Sequence, residues 1–192
     1  MPRVPRQQRH AAFDDFAAGS IKSLLRTAYL VSGDAGHAED LVQETLLKVA
    51  RRWPRVVSMD NSLAYARKIL VNLALDGSNR RTLHRAELAG PGDSEVPDAW
   101  QSKVSPEPFA AVEDKLEIIR TLGELTPRQR ATLVLRYLDN MSESQVASTL
   151  GCSVGTVKST TARALEKMRE LIQKQDRRPG PPRDSVPVQS ER

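Results

Sequence analysis

Cysteine is almost absent from this 192-residue chain, where Cys152 stands alone. No internal disulfide can form, and zinc chemistry built on several thiolates has no support. Cys152 itself reads as a small residue in a turn rather than a reactive thiol. Aromatic residues make up only 4%, which suits small helical domains packed through Leu, Val and Ala. No apolar run approaches the roughly 18 residues of a membrane span. The basic start MPRVPRQQRH is followed by no apolar stretch, so neither a signal peptide nor an anchor is expected, and a soluble, cytoplasmic protein is. Strand signals are sparse, with no long alternating run and no Asn-Gly hairpin turn. His10, His37 and His84 are scattered, and no HExxH, GxSxG, P-loop or glycine-rich dinucleotide turn occurs. Catalysis by this chain, a metal, a cofactor or a small-molecule substrate is therefore not expected. The net charge of +5 is compatible with nucleic acid without demanding it.

What is present concentrates near the C-terminal end, in LTPRQRATLVLRYLDNMSESQVASTLGCSVGTVKSTTARALEKMREL. Thr126, Pro127 and Gln129 spell a helix start: an N-cap, proline at the first helical position and a capping-box partner at the third. Ser142 and Gln145 repeat the box. The short helix Ser142–Leu150 ends at Gly151, where a turn calls for positive φ. Ser153 caps a further helix over about Val154–Ile172. Ala147, Gly151 and Val157 hold the packing positions of a helix-turn-helix, whose second helix enters the DNA major groove. Its core side is Val154, Val157, Ala164, Leu165 and Met168. Thr156, Lys158, Ser159, Ala162 and Arg163 are the candidates for reading DNA, and Arg128 and Arg130 for phosphates at a helix start.

The periodicity predicts two helical blocks. The first, about Ala11–Arg85, holds a helix carrying Phe13, Phe16, Ile21, Leu24, Leu25 and Ala28, broken at Gly33-Asp34. A second helix over Ala35–Trp53 buries Ala38, Leu41, Val42, Thr45, Leu46 and Val49 and is stopped by Pro54. After a loop, Pro54–Asn61, a third helix spans Ser62–Arg85, with Leu63, Ala66, Ile69, Leu70, Leu73 and Ala74 on one side. Residues Ala86–Pro108 read as a flexible linker in which Trp100 stands out. The second block runs from Phe109 to Lys174 and opens with a helix over Val112–Leu122 that packs through Leu116, Ile119 and Leu122. Residues 1–10 and the Pro- and Arg-rich tail Gln175–Arg192 are expected to be disordered.

Folding alone does not explain one stripe of the second helix. Asp40, Gln43, Glu44 and Leu47 recur at i, i+3, i+4 and i+7, away from the buried face. Three polar residues beside one exposed leucine suit recognition by a basic partner as well as they suit solvent.

Taken in order, AEDLVQE, SLAYARKILVNLALDGSNRR and the helix-turn-helix block resemble bacterial sigma factors of the sigma-70 family. The two-block layout resembles the extracytoplasmic-function group, which keeps only the sigma-2 and sigma-4 domains. The resemblance covers about Phe13–Arg85 and Val112–Leu171. It implies an all-α protein of two small domains, a sigma-2-like helical bundle (11–85) and a sigma-4-like helix-turn-helix domain (109–174), joined by the linker. It implies that Asp40, Gln43, Glu44 and Leu47 dock on the clamp helices of the polymerase β′ subunit. The −10 element would meet Asn61, Tyr65, Arg67, Lys68, Asn72, Asp76, Asn79 and Arg80, beside a pocket-forming loop at Val57–Ser62 that holds a flipped base. Asn72 matches a base-reading position, and Tyr65 stands where many members have Trp. Arg67, Lys68, Arg80 and Arg81 would hold phosphates. The second block would read the −35 element and pack on the β flap. Ala162 and Leu165 replace an aromatic and an arginine common in the family. Core RNA polymerase and promoter DNA are the implied partners, along with an anti-sigma factor, common in the group. The C-terminal block alone fits a LuxR-type regulator equally well. That alternative needs a receiver or ligand-binding domain, where Ala11–Arg85 reads as all-helical.

Overall fold

The computed structural model describes residues 6–88 and 113–176, with side chains over 10–78 and 118–174. Among the described residues the chain is helical and no strand occurs. The first block comprises α1 (Arg6–Ser32), α2 (Ala35–Arg51), the single turn α3 (Trp53–Val56) and α4 (Ser62–Leu88). The second comprises α5 (Glu113–Gly123), α6 (Pro127–Leu133), α7 (Glu143–Leu150) and α8 (Val154–Asp176). No described helix is long and apolar enough to cross a membrane.

The local signals explain most boundaries. Gly33, at φ 78°, ends α1, and the Asp34 side chain caps α2 by accepting from the His37 N–H at 2.7 Å. Asn61 caps α4, its Oδ1 accepting from the Ala64 N–H at 2.8 Å. The capping boxes Thr126/Gln129 and Ser142/Gln145 both form. Gly151 closes α7 at φ 61° and ψ 43°, and Ser153 Oγ accepts from the Thr156 N–H at 3.0 Å.

Four differences from the sequence reading have physical causes. Helix α1 starts at Arg6, inside the stretch expected to be disordered, because no Gly or Pro interrupts the good helix formers between Pro5 and Gly19. Pro54 does not open a loop but sits at the start of α3, where its missing N–H costs nothing. Helix α4 continues to Leu88, three residues into the expected linker. The end of the α6 segment widens into a π-helical turn, Val134–Leu138, where the Asp139 N–H reaches back five residues to the Val134 carbonyl at 3.0 Å. Asn140 then takes φ 51°, a left-handed conformation asparagine tolerates better than most residues. The expected linker beyond Leu88, Trp100, the side chains of Leu116, Asn79 and Arg80, and the tail beyond Asp176 lie outside the described residues.

In the first block Leu24, Ala28, Leu41, Val42, Val49, Val56, Ala66 and Leu70 fill the space between α1, α2 and α4. Phe13 and Phe16 cover Trp53 with ring centroids 5.4 and 5.1 Å away, a favourable edge-to-face and tilted pair of contacts. In the second, Ala131, Leu135, Val146, Ala147, Leu150, Val157 and Ala164 are buried around the helix-turn-helix. The two blocks are not independent bodies on a string. Helices α6 and α7 pack on α4, and α6 with its π turn packs on α1, so the buried residues form one continuous cluster.

Candidate nucleic-acid and polymerase interfaces

Three separate surfaces carry the residues singled out from the sequence. On α2, Asp40, Gln43, Glu44 and Leu47 are all exposed while Ala38, Leu41, Val42, Thr45 and Val49 face the core. Leu47 keeps 59% of its surface in solvent, although nothing in the helix prevents a polar residue there. Glu44 forms an i,i+4 pair with Lys48 at 2.9 Å, an exposed contact of little energy that a partner can displace.

On α4, residues 61, 65, 68, 72 and 76 follow one another at steps of three and four and therefore share one face. Asn61, Lys68, Asn72 and Asp76 are exposed and Tyr65 is half-buried. The Tyr65 hydroxyl accepts from Arg52 Nη1 at 3.2 Å, which fixes the ring beside the loop before α4. The Arg52 cation is in turn favoured by this hydrogen bond. Because Asn61 uses its carbonyl oxygen as the α4 cap, its amide NH2 is the group left to face outward.

Arg67 departs from this set. It lies on the row of Leu63, Val71 and Ala74, which faces inward, and not on the row of Lys68 and Asn72. Its guanidinium Nη2 donates to Ser23 Oγ at 2.9 Å and meets Asp139 Oδ1 of the second block at 3.2 Å. The expected phosphate contact is corrected: the helix period turns this side chain toward the second block.

On α8, Thr156, Lys158, Ser159, Ala162 and Arg163 are exposed, while Val157 and Ala164 anchor the helix. Val154, expected on the core side, keeps 39% of its surface in solvent. Lys158 sits 3.7 Å from Glu143 of α7, a loose surface pair. The Thr156 hydroxyl is within 2.9 Å of Ser153 Oγ, and Ser159 Oγ donates to the Thr156 carbonyl at 3.1 Å. Arg128 is exposed and donates from Nη2 to the Leu150 carbonyl at 3.3 Å, at the end of α7.

Arg130, also expected at phosphates, is corrected as well. It is only 5% exposed. Its Nε donates to the Leu122 carbonyl at 2.9 Å, and Nη2 to those of Gly123 at 3.1 Å and Leu125 at 3.0 Å. Its Nη1 crosses to the Val31 carbonyl at 2.9 Å. One cation thus closes the C-terminal ends of α5 and α1, where carbonyls lack helical partners and the helix dipole favours positive charge. Burial lowers its pKa to about 10, which leaves it charged at neutral pH.

The sequence reading missed Arg26, Thr27 and Asp139. They come together only through the packing of α1, α4 and the π turn. The Asp139-Asn140 pair was legible as a turn signal, but its cross-block partners were not.

Residues 20–83 match the family model for sigma-70 region 2, and residues 115–168 that for sigma-70 region 4. The chain is 30% identical over 164 residues to the RNA polymerase sigma-E factor of Streptomyces avermitilis, covering 85% of this chain and 87% of that one. It is 32% identical over 165 residues to the ECF RNA polymerase sigma factor SigL of Mycobacterium tuberculosis, covering 85% and 88%. The fold is similar to that of the sigma factor RpoE of Bartonella quintana, solved in complex with the anti-sigma factor NepR, with a TM-score of 0.67 and 24% identity over 84% of this chain and 97% of that one. The region 2 match occupies the block that a LuxR-type regulator would fill with a receiver or ligand-binding domain, so that alternative is not favoured. The chain belongs to the sigma-70 family of RNA polymerase sigma factors, in the extracytoplasmic-function group, whose function is transcription initiation.

Proposed function

We propose that this sigma factor docks on core RNA polymerase through Asp40, Gln43, Glu44 and Leu47, reads the −10 element with α4 and reads the −35 element with α8. The observation that carries the docking assignment is the exposed Leu47 inside a polar, acidic stripe. Such a stripe offers charge for steering and one apolar anchor for a basic, partly apolar helical partner. The clamp helices of the polymerase β′ subunit are the partner that the sigma-70 resemblance implies for this stripe.

At −10, Tyr65 serves as a stacking surface and Asn72 as a hydrogen-bonding edge for a base that leaves the duplex. Lys68 holds phosphate, and Asn79 and Arg80 complete the set on sequence grounds. At −35, Arg163 and Lys158 reach guanine acceptors or phosphates, Ser159 bonds either, and Thr156 and Ala162 face the same groove. Arg128 contributes a cation at the rim. The β flap and an anti-sigma factor are further partners. The polymerase supplies the chemistry, and this chain supplies address and strand opening.

The test is the affinity of the purified protein for bacterial core polymerase. Asp40→Ala with Gln43→Ala is expected to weaken binding at least tenfold, about 1.4 kcal/mol, while circular dichroism stays unchanged. Unchanged affinity would remove the docking assignment.

A further inference from the structure

Arg52 is the corner at which the chain turns from α2 into α3. Its φ of −113° and ψ of 10° lie outside the helical range, and the backbone there is tied on both sides. The Arg52 N–H donates to the Val49 carbonyl at 3.0 Å, and the Arg52 carbonyl accepts from the N–H groups of Arg55 at 2.9 Å and Val56 at 3.1 Å. Trp53 and Val56, both buried, anchor the turn that follows. The Val56 carbonyl in turn accepts from Ser62 Oγ at 2.9 Å, which fixes the first residue of α4. A fixed corner therefore aims the exposed side chain of Arg52 at the start of α4.

That side chain is not spent on folding. Arg130 is buried among four carbonyls and Arg67 meets Ser23 and Asp139, whereas Arg52 stays exposed and, among the described residues, pairs with no carboxylate. Its Nη1 donates to one side-chain group, the Tyr65 hydroxyl, at 3.2 Å. Tyr65 has a use for such a partner. The torsion that turns a tyrosine ring about its Cβ–Cγ bond is broad, while stacking on a base demands one ring plane. Packing on the apolar cluster leaves Tyr65 only half-buried. A contact at the hydroxyl holds the far end of the ring without covering its face.

We propose that Arg52 is a positioning residue for promoter melting: through the Tyr65 hydroxyl it fixes the plane of the ring on which an unstacked −10 base settles. This role rests on Tyr65 being the −10 stacking surface, and it adds to the α4 set a residue from the end of α2. A ring fixed in advance loses less freedom when the base arrives. The gain therefore falls in the step in which the base leaves the duplex, not in the first binding of the duplex. What matters is the contact between hydroxyl and guanidinium, not the charge of Arg52 by itself. A cation acting directly on phosphate would release a counterion and declare itself in the salt dependence of binding.

The test uses full-length protein in complex with purified bacterial core polymerase, on a promoter fragment from which it directs run-off transcripts. 2-Aminopurine replaces successive −10 bases of the non-template strand, and its fluorescence rise times unstacking. Arg52→Ala and Tyr65→Phe are each expected to slow the rise by about fivefold to tenfold, and equally, since each removes one end of the same contact. Tyr65→Phe keeps the half-buried ring and so leaves the packing intact. The double variant is expected to be no slower than either single one, and the salt dependence of duplex binding to match that of the parent in all three. Slowing that multiplies in the double variant would overturn the proposal. So would a salt slope lower by about one in Arg52→Ala, the mark of a direct phosphate contact. Normal melting by Arg52→Ala alongside slow melting by Tyr65→Ala would overturn it too, and leave the −10 reading standing. Normal melting by Tyr65→Ala would instead remove Tyr65 from the −10 site, and the role of Arg52 with it.

Discussion

Arg130 and Val31 are 99 residues apart in sequence, yet the guanidinium Nη1 of one donates to the carbonyl of the other at 2.9 Å. The same side chain satisfies the carbonyls of Leu122, Gly123 and Leu125. It stitches the end of α1 to the end of α5, and so the first block to the second. Arg130→Ala is expected to destabilise the protein by roughly 3 kcal/mol or more, since each buried carbonyl left unsatisfied costs about 1–3 kcal/mol. Arg130→Lys recovers only part of this, because a single ammonium cannot reach both helix ends as a planar fork does. Urea denaturation measures both. A loss below about 0.5 kcal/mol for the alanine variant would mean that the four hydrogen bonds are not what joins the helix ends.

Gly151 isolates a backbone effect. Its φ is 61°, and a Cβ built there meets nothing within 4 Å. Gly151→Ala therefore costs only the left-handed conformation, about 1 kcal/mol. Gly151→Asn costs less, as asparagine visits this region more readily. Thermal melts of the three proteins give the ranking Gly, Asn, Ala. Equal melting temperatures for Gly and Ala would show that the turn relaxes to another conformation.

Asp139 gives the folded protein a pH dependence of unusual sign. Its side chain is 4% exposed, beside the Thr27 hydroxyl and the Arg67 guanidinium. Burial raises its pKa above the ordinary 3.8, against the opposing pull of Arg67, Thr27 and Arg26. The folded protein therefore holds this proton more tightly than the unfolded chain. The contribution to stability is fully present below 3.8 and is lost as pH rises through the raised value. An ordinary exposed ion pair would do the reverse. Urea denaturation on lowering the pH from neutral should show the parent gaining stability relative to Asp139→Asn. A parent that loses stability relative to Asp139→Asn on acidification would contradict this account of the carboxyl group.

Arg163 distinguishes base reading from phosphate contact on α8. If it meets a guanine edge in two places, Arg163→Ala costs about 1–3 kcal/mol at the cognate −35 sequence and relaxes preference at one position. Competition among promoter fragments differing only at −35 measures this. A loss that is the same for every fragment would assign Arg163 to the phosphates.

Much of this fold was written locally. The boxes at Thr126/Gln129 and Ser142/Gln145 and the turn at Gly151 depend on residues a few positions apart, so the spacing alone placed α6, α7 and α8. The α2 stripe was equally legible, because a helical period separates Leu41, Val42 and Val49 from Asp40, Gln43 and Leu47. The same period, applied to α4, puts Arg67 with Leu63, Val71 and Ala74, so its inward direction could have been read. What it meets there could not. Arg67 with Asp139, and Arg130 with Val31, are pairings set by how two blocks pack, and no local pattern encodes a partner that distant in sequence. A cation on a short helix before a helix-turn-helix looks the same in sequence whether it faces DNA or carbonyls.

A sigma factor confers promoter choice on RNA polymerase. Run-off transcription with purified bacterial core polymerase, with and without the protein, on a pool of genomic promoter fragments measures that choice. New, discrete start sites are expected that require the protein, share common −35 and −10 sequences and are lost with Asp40→Ala and Gln43→Ala together. Tight duplex binding by the protein alone, with no protein-dependent transcripts, would contradict it.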